Sequence, residues 1–260
     1  MIPQWEITFN NIKMKLFSKL FKQTVKNEPI KQNNLGFQQN LTPRKTEEEL
    51  LERFGAIAFE NQLNFGEVIG ENNWNVDLTK GEISFGQNLT FPIQVLGTVS
   101  HSSQTWLWAW ANTKSGVPES LLQDALNLKN YGEVNEIDIL RNDTFDFLKD
   151  DLHKIGLIAS GINSCVYYIA DYGKGAMLVT IKREKIDKLK NEDNIKILTV
   201  FPRLISEFEI NHKNALAHYL TANGYSIAVE ENKVTGTKNG NNIVGYFDEL
   251  SRLIELNGNA

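Results

Sequence analysis

The side chains best suited to metal or nucleophilic chemistry are few: four histidines and one cysteine. Two histidines stand three residues after a carboxylate, Asp150 with His153 and Glu209 with His212. On a helix that spacing places both groups on one face, and Glu-x-x-His is a di-iron ligand unit in certain four-helix bundles. Such a bundle needs further glutamates on two more helices, and a β-rich pattern surrounds these pairs instead. His212 falls within an apolar stripe and reads as a core histidine. His218 falls on the solvated face of the same helix, and His101 in a turn. The expectation is no metal site and no cofactor. Cys165 lies in the apolar run Cys165-Val166-Tyr167-Tyr168-Ile169 and reads as a buried, inert thiol. A lone cysteine forms no intrachain disulfide and excludes a cysteine-rich zinc site. No G-x-G-x-x-G after a strand, Walker lysine loop, G-x-S-x-G elbow or H-E-x-x-H occurs, so no catalytic residue is assigned.

Trp106, Trp108 and Trp110 are the strongest local signal. On a strand, residues i, i+2 and i+4 share a face, so the three indoles form a ladder. The opposite face would carry Leu107, Ala109 and Ala111. With both faces apolar, the ladder reads as core; the alternative is an open aromatic platform for sugars or bases. Asn72, Asn73, Asp77, His101 and Asn112 flank the neighbouring turns and read as turn residues, or else as the lining of a cleft.

The elements that would position these groups follow from periodicity. Thr46 and Glu49 form a capping box ahead of Leu50, Phe54, Ile57 and Ala58 at helical spacing, and the helix is predicted to end near Phe65-Gly66. Alternation then predicts four antiparallel strands: Trp74–Leu78, Ile83–Phe85, Ile93–Val99 and Thr105–Ala111. Pro118 opens a helix with Leu121, Leu122, Ala125 and Leu126 inside and Gly132 just beyond its end. Another helix is predicted from Thr144 and a hairpin over Asn163–Lys182. Pro202 is expected to start the longest helix, which carries His212 and ends at Asn223-Gly224. Strands at Ser226–Val229, Lys233–Thr237 and Asn242–Phe247 follow, then a short helix or last strand over Asp248–Leu256. Helices interspersed with antiparallel hairpins make the fold class α+β.

Residues 1–45 differ from the rest. They carry eight Lys/Arg and two Glu, whereas residues 46–260 carry 19 basic and 30 acidic residues. Residues 30–44 are rich in Gln and Asn and read as a linker. Before them, Leu16, Phe17, Leu20 and Phe21 share one helical face, and Lys15, Lys19, Lys22 and Lys26 the other. This short basic amphipathic helix is a candidate membrane-surface or docking element, the alternative being a helix that packs on its own domain. The pattern begins at Met14, because Lys13 would fall on the apolar face, so Met14 is a second candidate start. The expected organisation is a basic extension and linker over 1–45 and one globular α+β domain over 46–260, with a possible subdomain division near 185–195.

The chain has 260 residues, 41 % of them apolar and 23 % charged, ordinary for a globular protein and enough for a core. No apolar run approaches the ~20 residues of a membrane-spanning helix. No signal peptide is visible, which points to the cytoplasm. An acidic body repels phosphate backbones, so nucleic acid is not an expected partner.

Trp106-Leu107-Trp108-Ala109-Trp110-Ala111-Asn112 resembles the hallmark strand of an uncharacterised bacterial family, a domain of unknown function. A Trp-x-Val-Asp-Leu strand at 74–78, the Leu96-Gly97 pair and Phe-Asp-Glu-Leu at 247–250 are similar as well, and the resemblance covers residues 46–256. It implies a bacterial cytoplasmic protein and supplies no catalytic residues. The expected function is non-enzymatic protein binding, most concretely an immunity or antitoxin-like protein that masks a basic toxin. The alternatives are a hydrolase-like enzyme with a cleft beside the meander, or a peripheral protein recruited to the inner membrane by residues 14–26.

Overall fold

A computed structural model describes residues 46–147, 151–183, 186 and 194–259. The amphipathic segment carrying Lys15, Leu16, Phe17, Lys19, Leu20, Phe21 and Lys22 lies outside the described residues, as does Asp150. The described residues form six α-helices and two antiparallel sheets, an α+β fold.

Helix α1, Glu47–Ile69, starts as its capping box requires: Thr46 Oγ1 accepts from the Glu49 N–H at 3.2 Å, and Glu47, Glu48 and Glu49 occupy the positive end of the dipole. It runs through Gly66 to Gly70. The first sheet follows the order β1 (Trp74–Asp77), β2 (Glu82–Phe85), β3 (Leu89–Ser100), β4 (Thr105–Trp108) and β5 (Thr144–Asp146). β6 (Cys165–Asp171) and β7 (Gly175–Lys182) complete it, β7 pairing with β3.

This sheet has core on both faces. On β7, Ala176 and Leu178 join one apolar cluster while Val179 and Ile181 join the other; on β6, Tyr167 and Val166 divide in the same way. That is why these strands read as continuous apolar runs. Gly97 of β3 is a required glycine, because a Cβ there would overlap the Trp106 ring and come within 2.6 Å of the Leu107 carbonyl oxygen.

Between β4 and β5 stand a 3-10 turn, Glu119–Leu121, helix α2 (Gln123–Asn135) and the single turn α3 (Asp138–Arg141). Pro118 precedes the 3-10 turn, so α2 begins five residues after it. Gly132 therefore lies inside α2, and Leu126 faces outward rather than inward. Thr144 begins β5, not a helix; helix α4 comes later, at Asp151–Asn163. β5 is held to β4 by the Thr105–Leu107 register, which the alternation Thr144-Phe145-Asp146 suits better than a first helical turn.

The expected long helix from Pro202 is two helices, α5 (Asn194–Glu207) and α6 (His212–Ala222). Pro202 lies inside α5 because Ile197, Val200, Phe201 and Leu204 already form its buried face. The helix breaks after Glu207, and Asn211 caps α6 by accepting from the Asn214 N–H at 3.0 Å. α6 packs on the second sheet, in the order β11 (Leu253–Gly258), β10 (Asn241–Phe247), β9 (Lys233–Lys238) and β8 (Ser226–Val229). The last element is thus a strand. α1 packs against α4, α5 and α6, and its Leu50, Leu51 and Phe59 belong to the larger core cluster.

Candidate functional site

Trp106 and Trp108 share a face of β4, are both 0 % exposed, and meet edge to face with centroids 5.2 Å apart. Trp108 Nε1 donates to the Ile139 carbonyl at 3.0 Å. Trp110 does not extend the ladder. β4 stops at Trp108, and the chain turns back as the Asn112 N–H donates to the Trp108 carbonyl. Trp110 is half-buried, with the Lys129 ammonium 4.1 Å from its ring centroid. Two buried indoles and one separate indole under a lysine are not a continuous platform.

The histidines are placed apart. Glu209 is exposed in the bend between α5 and α6, so the expected helical Glu-x-x-His unit does not form. His212 begins α6, and its Nδ1 accepts from the Leu253 N–H at 2.9 Å, tying α6 to β11. Burial lowers its pKa; Asp248 acts in the opposite sense and Arg252 reinforces burial. His153 Nδ1 is 2.9 Å from the Tyr167 hydroxyl. No cluster of three His, Cys, Asp or Glu able to hold a metal occurs among the described residues. Two of the meander polar groups serve chain reversals: Asp77 Oδ1 accepts from Thr79 and Lys80 N–H at 3.0 Å, and Asn72 Nδ2 donates to the Ile69 carbonyl; the His101 ring instead lies 3.4 Å from the Gly173 carbonyl and 3.8 Å from Asp171.

Cys165 is buried, and its thiol is pushed up to about 12, first by burial and then by the Asp124 carboxylate. At neutral pH it holds its proton and is a poor nucleophile. It belongs to a polar network that periodicity did not reveal. Asp124, in the first turn of α2, accepts from the Thr180 hydroxyl at 2.5 Å, and burial raises the carboxyl pKa. Asn163, the last residue of α4, donates to the Asp124 backbone carbonyl at 3.1 Å and accepts from Asn127 Nδ2 at 3.3 Å. Gln123 Nε2 donates to Asn127 Oδ1 at 2.9 Å, and the Gln123 N–H to Gln94 Oε1 at 2.8 Å. The network pins the α4–β6 turn to α2.

Beside it lies an open groove of about 340 Å³ between α2 and the end of α4. Four asparagines, 127, 130, 135 and 163, line it with Tyr131, Val134 and Ile162. Among the described residues no charged side chain lines it. The spacing Asn127, Asn130, Tyr131, Val134 at three and four residues was the available sequence signal, but polar residues at that spacing also describe any solvated helix face.

The charge is segregated. Residues 46–183 hold 10 Lys/Arg against 19 Asp/Glu, and residues 184–260 hold 9 against 11. Exposed Glu133, Glu136, Asp138, Asp143 and Asp146 gather along α2, α3 and β5. Two of them meet cations: Glu133 Oε1 with Lys129 at 3.8 Å and Asp138 Oδ1 with Arg141 at 2.7 Å. β5 ends the strand order of its sheet, with β4 as its strand partner among the described residues. Among the described residues no helix is long and apolar enough to cross a membrane.

No curated protein and no solved structure matches this chain. The profile of a protein family matches residues 48–183, just over half of the chain, and its description is "Family of unknown function (DUF6882)". The match takes in the first sheet, the groove and most of the acidic excess, and it ends before the second sheet.

Proposed function

The chain belongs to the DUF6882 family, a family of unknown function, and we propose from its own surface that it works by binding a protein. The reading is a non-enzymatic, immunity or antitoxin-like protein of the bacterial cytoplasm that masks a basic toxin. The observation that carries it is the acidic excess displayed along an edge strand. Asp143 immediately precedes β5, Asp146 lies on it, and Glu136 is exposed at the end of α2; β5 ends the strand order of its sheet among the described residues. An edge strand offers backbone donors and acceptors to an incoming strand. Carboxylates on that edge repel a second copy of themselves and attract a cationic partner, which raises the association rate more than the final affinity.

Coexpression tests the proposal. The product of the adjacent gene is expressed alone and together with this chain. Growth arrest by that product, relieved by this chain, is expected. The charge-reversed variant Glu136→Lys/Asp143→Lys/Asp146→Lys is expected to associate about tenfold more slowly at low salt and to rescue poorly. Full rescue by that variant, or association that salt does not change, would overturn the acidic-edge reading.

A further inference from the structure

We propose that the groove between α2 and α4 binds a small, neutral, hydroxyl-rich molecule, of the class of a pyranose sugar. This inference is independent of the acidic edge.

The groove combines two kinds of surface. Its polar part is built from amides, each with two N–H donors and two acceptor lone pairs. Asn127 uses one donor on Asn163 and one acceptor site on Gln123; Asn163 uses one donor on the Asp124 carbonyl and one acceptor site on Asn127. Each keeps a donor and an acceptor, and the network behind holds both amides in place. Asn130 is exposed on the same wall. Adjacent donor and acceptor groups on fixed amides match the paired hydroxyls of a sugar ring, every one of which is both donor and acceptor. The apolar part is Tyr131, Ile162 and Val134, the last 71 % exposed. It offers a surface for the C–H face of a ring.

Charge and shape narrow the class. Among the described residues no ammonium or guanidinium lines the groove, so no positive charge there favours a phosphate or carboxylate. No carboxylate lines it either, which disfavours a cationic ligand. Its walls are two helices, so no free strand edge is present for an extended peptide. A volume of about 340 Å³ lies at the small end of ligand sites, about 300–1,000 Å³, and suits one or two rings.

The test is an NMR titration of the full chain with methyl glucoside, methyl mannoside, methyl galactoside and N-acetylglucosamine. At least one is expected to give saturable shifts confined to residues 127–135 and 162–163, with a Kd of about 1 mM or tighter. Asn130→Ala, at an exposed position, is expected to weaken that binding about tenfold without changing Tm. Asn127→Ala should weaken it as well, and should also lower Tm because it removes the bonds to Gln123 and Asn163. Shifts that do not saturate for any sugar at about tenfold that concentration, saturation by a tetra-alanine peptide instead, or unchanged binding by Asn130→Ala would each overturn the proposal.

Discussion

The Tyr219 hydroxyl of α6 donates to Glu60 Oε2 of α1 at 2.6 Å, across 159 positions of sequence. Both residues are buried, Tyr219 at 1 % exposure and Glu60 at 3 %. Burial, together with the Glu60 charge, pushes the phenol well above its ordinary value, so it stays a donor. A buried carboxylate needs such a donor, and here the donor joins the helix of the first sheet to the helix of the second. Tyr219→Phe is expected to lower unfolding stability by about 1.5–3 kcal/mol, the range for a hydrogen bond to a charged group. Urea unfolding measures it; a loss well under 1 kcal/mol would mean that water takes the place of the hydroxyl.

Trp108→Ala removes a fully buried indole and its bond to the Ile139 carbonyl. Truncating a large aromatic in a core costs about 3–5 kcal/mol, out of a typical total of about 5–15. Trp110→Ala is expected to cost less, because that ring is only half-buried. Denaturant unfolding of the two variants side by side tests the order. Equal losses would show that the ring under Lys129 is as deeply packed as its neighbour.

His212 makes stability depend on pH. Its Nδ1 accepts from the Leu253 N–H, which requires an unprotonated nitrogen, and burial lowers its folded pKa below the ordinary 6.5. The contribution is therefore complete above about pH 6.5 and is lost as pH falls through the lower folded value. Tm should fall over that window in the wild type and fall less in His212→Ala. An identical slope in both proteins would assign the pH dependence to other groups.

Asp124 acts in the reverse sense. Burial raises its pKa above 3.8, although the Thr180 hydroxyl and Lys182 hold it down. The charged form is the one the fold disfavours, so the stability associated with this group is full below about pH 3.8 and declines as pH rises through the folded pKa. Asp124→Asn keeps an oxygen for the Thr180 hydroxyl and removes the charge. It is expected to raise Tm at pH 7 and to match the wild type at pH 3.5. A lower Tm at pH 7 would mean that the charged hydrogen bond outweighs burial.

What the sequence determined by itself is local. Thr46 with Glu49 could cap only a helix beginning at residue 47, because one side-chain oxygen reaches the amide three residues on. Period 2 found the meander, since alternation follows from the pleat of a single strand, and turn residues between strand-like runs marked the later hairpins, which with the helical spacings made the class α+β. The residue types of the Trp106–Trp110 run were plain, but its geometry was not. Whether Trp110 continued the strand depended on the turn that follows Ala109, where the Ala111 and Asn112 N–H groups donate back to the Trp108 carbonyl. Thr144 became a strand because β4 needed a neighbour, and Pro202 fell inside a helix because four apolar residues around it faced the core. The groove was beyond local reading. Asn127 and Asn163 are 36 positions apart, and only the packing of α4 against α2 joins them. Asparagine has weak propensity for either element, so its placement is decided by the donors and acceptors that the tertiary fold brings beside it.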